Sequence, residues 1–165
     1  MNYTSIIEEL EVLEPVSENR LRIQSICDRH IFVGWDFSNC YCIFFEGCNL
    51  KEISRLSLVR EHLRSQTITR VNGERLEGTL LQLQSGESDK IAIASIAAEF
   101  MRRGVPSSSI EDIFPQLEKY IERQIEDAQL SSHSMIGLIG ELLVYSKLLS
   151  AIKKHLPENP PDLIN

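Results

Sequence analysis

The spacing of apolar residues along this 165-residue chain changes from one region to the next, and each change predicts a different kind of element. Between Tyr3 and Leu13 the apolar residues recur at helical spacing and the glutamates fall on the other side, which predicts an amphipathic helix that Pro15 ends. The next region alternates apolar with polar residues or carries short apolar runs, as strands do. The predicted strands are 20–26, 30–37, 40–46, 64–71 and 74–84.

Two short polar turns indicate that neighbouring strands in this region pair as antiparallel hairpins. Ser38-Asn39 separates the second and third strands, and Asn72-Gly73 separates the last two. Asn-Gly between two alternating runs is the strongest short-range hairpin signal. The segment 50–62 is ambiguous from sequence and fits either an irregular crossing or a short helix.

From Ser88 onward the apolar period returns to that of a helix, and three helices are predicted. The first ends at Gly104-Val105-Pro106, and the second begins near the candidate caps Ser109 and Asp112. The third is expected to begin at a cap, Ser131 or Ser132, and to run to about His155. The predicted fold class is therefore α+β: an N-terminal helix, an antiparallel sheet of about four or five strands, then three C-terminal helices.

Composition describes an ordinary globular chain and excludes some functions. Seventeen basic and 24 acidic residues give a net charge of −7, which argues against a surface that grips nucleic acid by general charge neutralisation. The N-terminus has no basic region followed by an apolar run, and no segment reaches the roughly 18 apolar residues of a membrane span. The four cysteines lack the C-x-x-C pairs of a zinc site and read as buried thiols, although a cluster with His30 stays open. We therefore expect a cytoplasmic protein without membrane contact.

The last predicted helix carries the most unusual combination of residues. It is apolar on more than one face, so much of it is expected to be buried. Gly137 and Gly140 each cost up to about 1 kcal/mol in a helix interior relative to alanine, so a close approach by another backbone is expected there. Glu141 has no cation three or four residues away on either side. A carboxylate in that setting either reaches water at the edge of the core or faces something specific.

The segment MIGLIGELLVYSKLL, residues 135–149, resembles the G-L-x-G-E-L-x-x-L motif of the prokaryotic PD-(D/E)XK motif proteins, a restriction-endonuclease-like family often encoded in defence loci. Gly137, Leu138, Gly140, Glu141 and Leu142 match the motif, while upstream of Ser131 the resemblance is one of layout and length. It implies an N-terminal α+β domain over 1–130, the first helix of a truncated nuclease-like core over 131–156, and a proline-rich connector over 157–165.

The resemblance also implies how such a nuclease would work. In that family an Asp and a following Asp/Glu-x-Lys on a hairpin hold Mg²⁺, and a glutamate on the first core helix lies nearby. Glu141 would then be an accessory catalytic residue, and at most an accessory or second-sphere ligand of the metal. No acid stands two positions before any lysine of this chain, so the Asp/Glu-x-Lys motif is absent. We expect no cofactor in this chain alone, with Mg²⁺ needed only by a full nuclease core.

Two functions follow from these observations, and the first is the leading interpretation. The first is the N-terminal portion of a PD-(D/E)XK-like protein of a DNA restriction or defence system, which positions or regulates a nuclease site and meets DNA only indirectly. The alternative is a non-catalytic protein–protein interaction module. In both cases self-association or a protein partner is expected through the helix from Ser131. An arginine-rich stretch, Arg55 to Arg75, fits either a phosphate or acidic partner or a charged sheet edge.

Overall fold

The structure, a computed structural model, describes residues 2–13, 21–27, 30–69, 73–84 and 86–155. These residues form an N-terminal helix, a five-stranded antiparallel sheet with two short helices inserted before its fourth strand, and two C-terminal helices. The helices are α1 (Tyr3–Val12), α2 (Leu50–Ile53), α3 (Ser57–His62), α4 (Ser88–Arg102) and α5 (Ile110–His155). The strands are β1 (Arg22–Cys27), β2 (Ile31–Trp35), β3 (Tyr41–Glu46), β4 (Leu63–Thr69) and β5 (Arg75–Gln82).

The predicted α+β class is confirmed, and the ambiguous segment forms the two short helices α2 and α3. The strands lie in the order β1-β2-β3-β5-β4, and every neighbouring pair is antiparallel. Some features of the sequence prediction fall outside the described residues, among them Pro15, Asn72 of the predicted Asn-Gly turn, and the proline-rich connector over 157–165.

The core lies between one face of the sheet and the helices. α4 packs against β2 and β3, and α1 and α5 pack against α4. The rings of Phe45 on β3 and Phe100 on α4 lie 4.9 Å apart at this interface. The other face of the sheet carries a smaller buried cluster that includes Phe32, Phe44 and Leu80. β2 and β3 are therefore buried on both faces, which explains why their sequences read as continuous apolar runs.

The β2–β3 turn is held by the carboxylate of Asp36, which is buried at 4% exposure. Its Oδ1 accepts hydrogen bonds from the backbone N–H groups of Ser38 and Cys40, both at 2.8 Å. Asn39 adopts a φ of 55°, a left-handed conformation that asparagine tolerates better than most residues. The predicted Ser38-Asn39 turn is confirmed, and the side chain of Asp36 stabilises it.

Replacing Asp36 with alanine is expected to destabilise the protein by about 1–2 kcal/mol, because two backbone N–H groups lose their acceptor. Asp36→Asn keeps an acceptor oxygen and is expected to cost less than Asp36→Ala. Urea unfolding checks both variants through the midpoint concentration. An Asp36→Ala midpoint equal to that of the unchanged protein would show that the turn does not depend on this carboxylate.

The helix α5 departs from the predicted pattern. The second and third predicted C-terminal helices form one continuous helix of 46 residues, so the predicted start at Ser131 or Ser132 is wrong. The hydroxyl of Ser131 donates to the carbonyl of Asp127 at 2.9 Å, which is a bond within the helix and does not cap a new one. Ser109, by contrast, caps α5 as predicted, since its Oγ accepts from the N–H of Glu111 at 3.2 Å.

The first part of α5 packs against the rest of the protein. It packs against α4, α2 and α3, and its apolar side chains at helical spacing are buried. These buried residues are Ile110, Ile113, Phe114, Leu117, Ile121, Ile125 and Ala128. A helix of this length spans about 69 Å at 1.5 Å per residue, and the stretch from Ile110 to Ala128 accounts for about 28 Å of it. The part beyond Ala128 extends from that body without a cover among the described residues.

Candidate interaction surface

The distal part of α5, residues 130–150, is exposed on every side. Each described side chain in it is exposed, and its large apolar side chains are 52–65% exposed. These exposed apolar residues are Leu130, Ile136, Leu138, Ile139, Leu142, Leu143, Val144, Tyr145, Leu148 and Leu149. The expectation that this helix is largely buried is therefore wrong for the chain by itself. So many exposed apolar side chains in one segment make the distal part of α5 the candidate interaction surface of the described protein.

All the residues that carry the family resemblance lie in this distal part. Gly137 and Gly140 face open space, and a Cβ built on either would meet no atom within 4 Å. The close backbone approach predicted at these glycines is therefore not made by any described residue. Glu141 is exposed, and no ion pair or side-chain hydrogen bond joins it to another described residue. The structure keeps these residues together on one exposed helix and brings no catalytic partner to them.

The described residues contain no group of three or more His, Cys, Asp and Glu side chains that fits a metal ion. The cluster of Cys40, Cys42, Cys48 and His30 left open by the sequence is not supported by the geometry, because Cys42 is buried in the cluster on one face of the sheet while Cys48 packs against the core on the other face. Burial raises the pKa of Cys42 well above its usual value, with Asp36 and Cys40 adding to the rise. Burial, with Glu111 and Glu46, raises the pKa of Cys48 to about 11.

The other polar candidates serve the fold or stand apart from one another. Nδ1 of His62 lies 2.8 Å from the carbonyl oxygen of Leu58, and both residues belong to α3. Nδ1 of His133 lies 2.9 Å from the carbonyl oxygen of Gln129 on α5. These two rings are engaged with local backbone, and neither is paired with a candidate nucleophile.

The arginine-rich stretch does not form one basic patch among the described residues. Arg60 donates from its guanidinium to the carbonyl oxygen of Ser54, so it holds the connector between α2 and α3. Arg64 is paired in register with Leu80, while Arg75 is paired with Thr69, at the other end of the β4–β5 hairpin. Arg70 lies outside the described residues. These positions fit arginines that stabilise the fold or line the edge of the sheet better than they fit a phosphate-binding site.

Glu118 is a buried acidic residue that the sequence patterns did not predict. The carboxylate of Glu118 on α5 is only 4% exposed. Its Oε1 accepts three hydrogen bonds: from the hydroxyl of Ser54 at 2.6 Å, from the N–H of Arg55 at 2.6 Å and from the N–H of Leu56 at 2.8 Å. These donors all belong to the connector between α2 and α3, so Glu118 fixes that connector to the first part of α5. The sequence signal that could have revealed this contact is a glutamate next to Leu117, on the buried face of α5.

A surface cleft of about 490 Å³ lies beside the turn after β3. It is lined by Glu77 and Glu111 together with small polar residues of β4, and it contains none of the predicted site residues. Cys48 also lines the cleft, but burial, with Glu111 and Glu46, raises the pKa of its thiol to about 11, which is the opposite of an activated nucleophile. The chemically distinctive feature of the described protein is therefore its exposed distal helix.

Comparison with known proteins adds no relative: no protein-family model, no curated protein and no solved structure matches the chain. Within the part of the chain that the structure describes, no helix combines the length and the low charge needed to cross a membrane. The fold and the surface define an α+β domain that presents an apolar helix.

Proposed function

We propose that this chain is the N-terminal portion of a PD-(D/E)XK-like, restriction-endonuclease-like protein of a prokaryotic DNA restriction or defence system. Its role is to position or regulate a nuclease active site that other protein regions supply. The observation that supports this proposal is the state of the distal part of α5. The residues that resemble the family motif lie on a helix that is apolar and uncovered, as a core helix is when its sheet is not part of the described protein.

The two glycines suggest how a nuclease core would meet this helix. Gly137, Gly140 and Val144 share one side of α5, where the absence of large side chains lets a sheet approach the helix backbone closely. Glu141 borders that side and is exposed. In the proposed assembly Glu141 would be an accessory group near the metal site. The described residues do not themselves fit Mg²⁺, so its ligands would come from the Asp and Asp/Glu-x-Lys of the core.

The chain alone is expected to show no Mg²⁺-dependent cleavage of plasmid DNA, because it lacks the acidic pair and lysine that hold and use the metal. Incubation of supercoiled plasmid with the purified chain and MgCl₂, followed by gel electrophoresis, checks this. Cleavage that disappears in Glu141→Ala would contradict the expectation. Cleavage that persists in Glu141→Ala would indicate a contaminating nuclease.

The nuclease proposal is tested by the coding sequence that follows codon 165 and by the protein it encodes. A continuing frame, or an adjacent one, that contains an Asp and then Asp/Glu-x-Lys on predicted strands supports the proposal. Joined to such a core, the chain should support Mg²⁺-dependent cleavage, and Gly140→Leu should weaken it because the large side chain blocks the close approach of the sheet. Glu126→Leu, at an exposed position in the first part of α5, serves as the remote control. A stop codon with no neighbouring frame that supplies the motif would contradict the proposal.

A non-catalytic protein–protein interaction module is the second candidate. Two buried carboxylates, Glu118 and Asp36, favour this candidate. Both accept hydrogen bonds from backbone N–H groups of their own fold, so they serve the fold rather than a reaction. The net charge of −7 also favours a protein partner over a nucleic acid. This candidate predicts a stable complex through the distal helix with no dependence on Mg²⁺ and no effect of Glu141→Gln.

A further inference from the structure

A small polar cavity of about 240 Å³ lies where α3 runs into β4, beside the end of β5. The residues that line it are Glu61, His62, Arg64, Gln82 and Gln84. All of them carry polar side chains, so the lining offers hydrogen bonds and charge rather than apolar contact. Gln82 differs from the other four, which are at least partly exposed, because it is buried at 3% exposure.

The side-chain amide of Gln82 is buried without a hydrogen-bond partner for either of its polar atoms. Neither Oε1 nor Nε2 forms a hydrogen bond with another atom of the described protein. Burial and Asp36 raise the pKa of the Cys40 thiol, and the Gln82 amide lowers it with a smaller effect, so the thiol lies near the amide. A thiol is only a weak hydrogen-bond partner. Because unpaired buried donors and acceptors are costly, a ligand that pairs with both atoms is bound favourably.

Two opposite charges border the same cavity. Arg64 is opposite Leu80 in the β4–β5 pairing, and Gln82 is two residues further along β5, so Arg64 and Gln82 share one face of the sheet. Glu61 lines the cavity from α3. Neither Glu61 nor Arg64 forms an ion pair with another described residue. The cavity therefore combines an acid, a base and an amide whose donor and acceptor are both unused.

We propose that this cavity binds the zwitterionic head of a free α-amino acid. The ammonium group of such a ligand donates to the carboxylate of Glu61 and to Oε1 of Gln82, and its carboxylate accepts from the guanidinium of Arg64 and from Nε2 of Gln82. A simple anion would leave Glu61 and Oε1 unpaired, and a simple amine would leave Arg64 and Nε2 unpaired. The exposed side chains of Arg64 and Gln84 can move to admit the ligand to the buried amide. None of the lining residues belongs to α5, so the site does not rest on the proposed nuclease function.

Nuclear magnetic resonance titration of the complete, ¹⁵N-labelled chain tests the site, because it observes the side-chain amide of Gln82 itself. The resonance of this amide is assigned by its absence from Gln82→Leu. We expect L-alanine to shift it saturably, with a dissociation constant of about 1 mM. Propionate and ethylamine, which are alanine without its ammonium group and without its carboxylate, should each bind at least about tenfold more weakly at matched ionic strength.

Substitutions separate ligand binding from effects on the fold. Arg64→Met should weaken L-alanine binding at least about tenfold, while Arg75→Met, at the other end of the β4–β5 hairpin, should change it less than about twofold. Gln82→Leu should abolish binding in calorimetry and leave the thermal midpoint equal or higher, because it removes an unpaired buried amide. No saturable shift at about ten times the expected dissociation constant, propionate or ethylamine binding as well as L-alanine, equal weakening by the two arginine substitutions, or a lower midpoint for Gln82→Leu would each overturn the proposal.

Discussion

Glu118→Ala is expected to lower the free energy of unfolding by about 3–4 kcal/mol, one of the two largest effects of any substitution considered for this protein. The Glu118 carboxylate accepts from the hydroxyl of Ser54 and from the N–H groups of Arg55 and Leu56. Alanine would leave these donors without their acceptor beside a buried surface. The loss of hydrogen bonds to a charged group and the desolvation of the donors both reduce stability.

The neighbouring contacts extend the effect beyond one side chain. Arg60 donates to the carbonyl oxygen of Ser54, so side chains of α3 and α5 both hold the same short connector. Because this connector leads into α3 and the edge strand β4, its release should loosen the approach to that strand. Urea unfolding followed by circular dichroism measures the effect, with Glu126→Ala as the control because Glu126 lies on the same helix and is exposed. Equal midpoints for the two variants would contradict a structural role for Glu118.

Gly78→Ala is the second substitution with a large expected effect. We expect it to lower the free energy of unfolding by about 3 kcal/mol or more. Gly78 lies on β5 between Glu46 of β3 and Gln66 of β4. A Cβ built there would lie 2.0 Å from the carbonyl oxygen of Phe45, and that oxygen belongs to backbone rather than to a flexible side chain. The strands would have to move apart in the middle of the sheet to admit one methyl group.

Gly140→Ala provides a matched control for Gly78→Ala, because a Cβ at Gly140 meets nothing within 4 Å. In an exposed helix alanine is favoured over glycine by up to about 1 kcal/mol, so this variant should be neutral or slightly more stable. Thermal unfolding of both proteins compares them directly. If Gly78→Ala unfolds within about 0.5 kcal/mol of the unchanged protein, the close strand approach at Gly78 is wrong.

The fold class could be predicted because local patterns agree with the final structure. Alternating residues and short turns produced the strands, and the left-handed Asn39 sits where a turn residue was expected. The continuity of α5 could not be predicted the same way. The run Ser131, Ser132, His133, Ser134 contains good capping residues, yet the hydroxyl of Ser131 bonds back to Asp127 and the helix continues. Capping preference is local and does not exclude an uninterrupted helix.

The candidate site could be predicted only in part. Sequence located the unusual helix and its glycines, but an apolar pattern does not say which protein region covers it, so burial was expected where Leu138 and Leu142 are exposed. Glu118 was missed for another reason. Its donors lie 62 to 64 residues earlier in the chain, and no local pattern reports a contact of that separation. The contacts of Asp36 are local by comparison, because its donors are only two and four residues away in the chain.

Hydrogen exchange measured by mass spectrometry would show whether the distal part of α5 is a docking surface. Amides from 113 to 128 should be protected at every protein concentration, because their side chains pack on the folded body. Amides from 136 to 149 should exchange quickly in dilute protein and become protected as concentration rises or when a nuclease core is joined to the chain. Fast exchange of 136–149 under all these conditions, or full protection in the dilute monomer, would contradict a docking role.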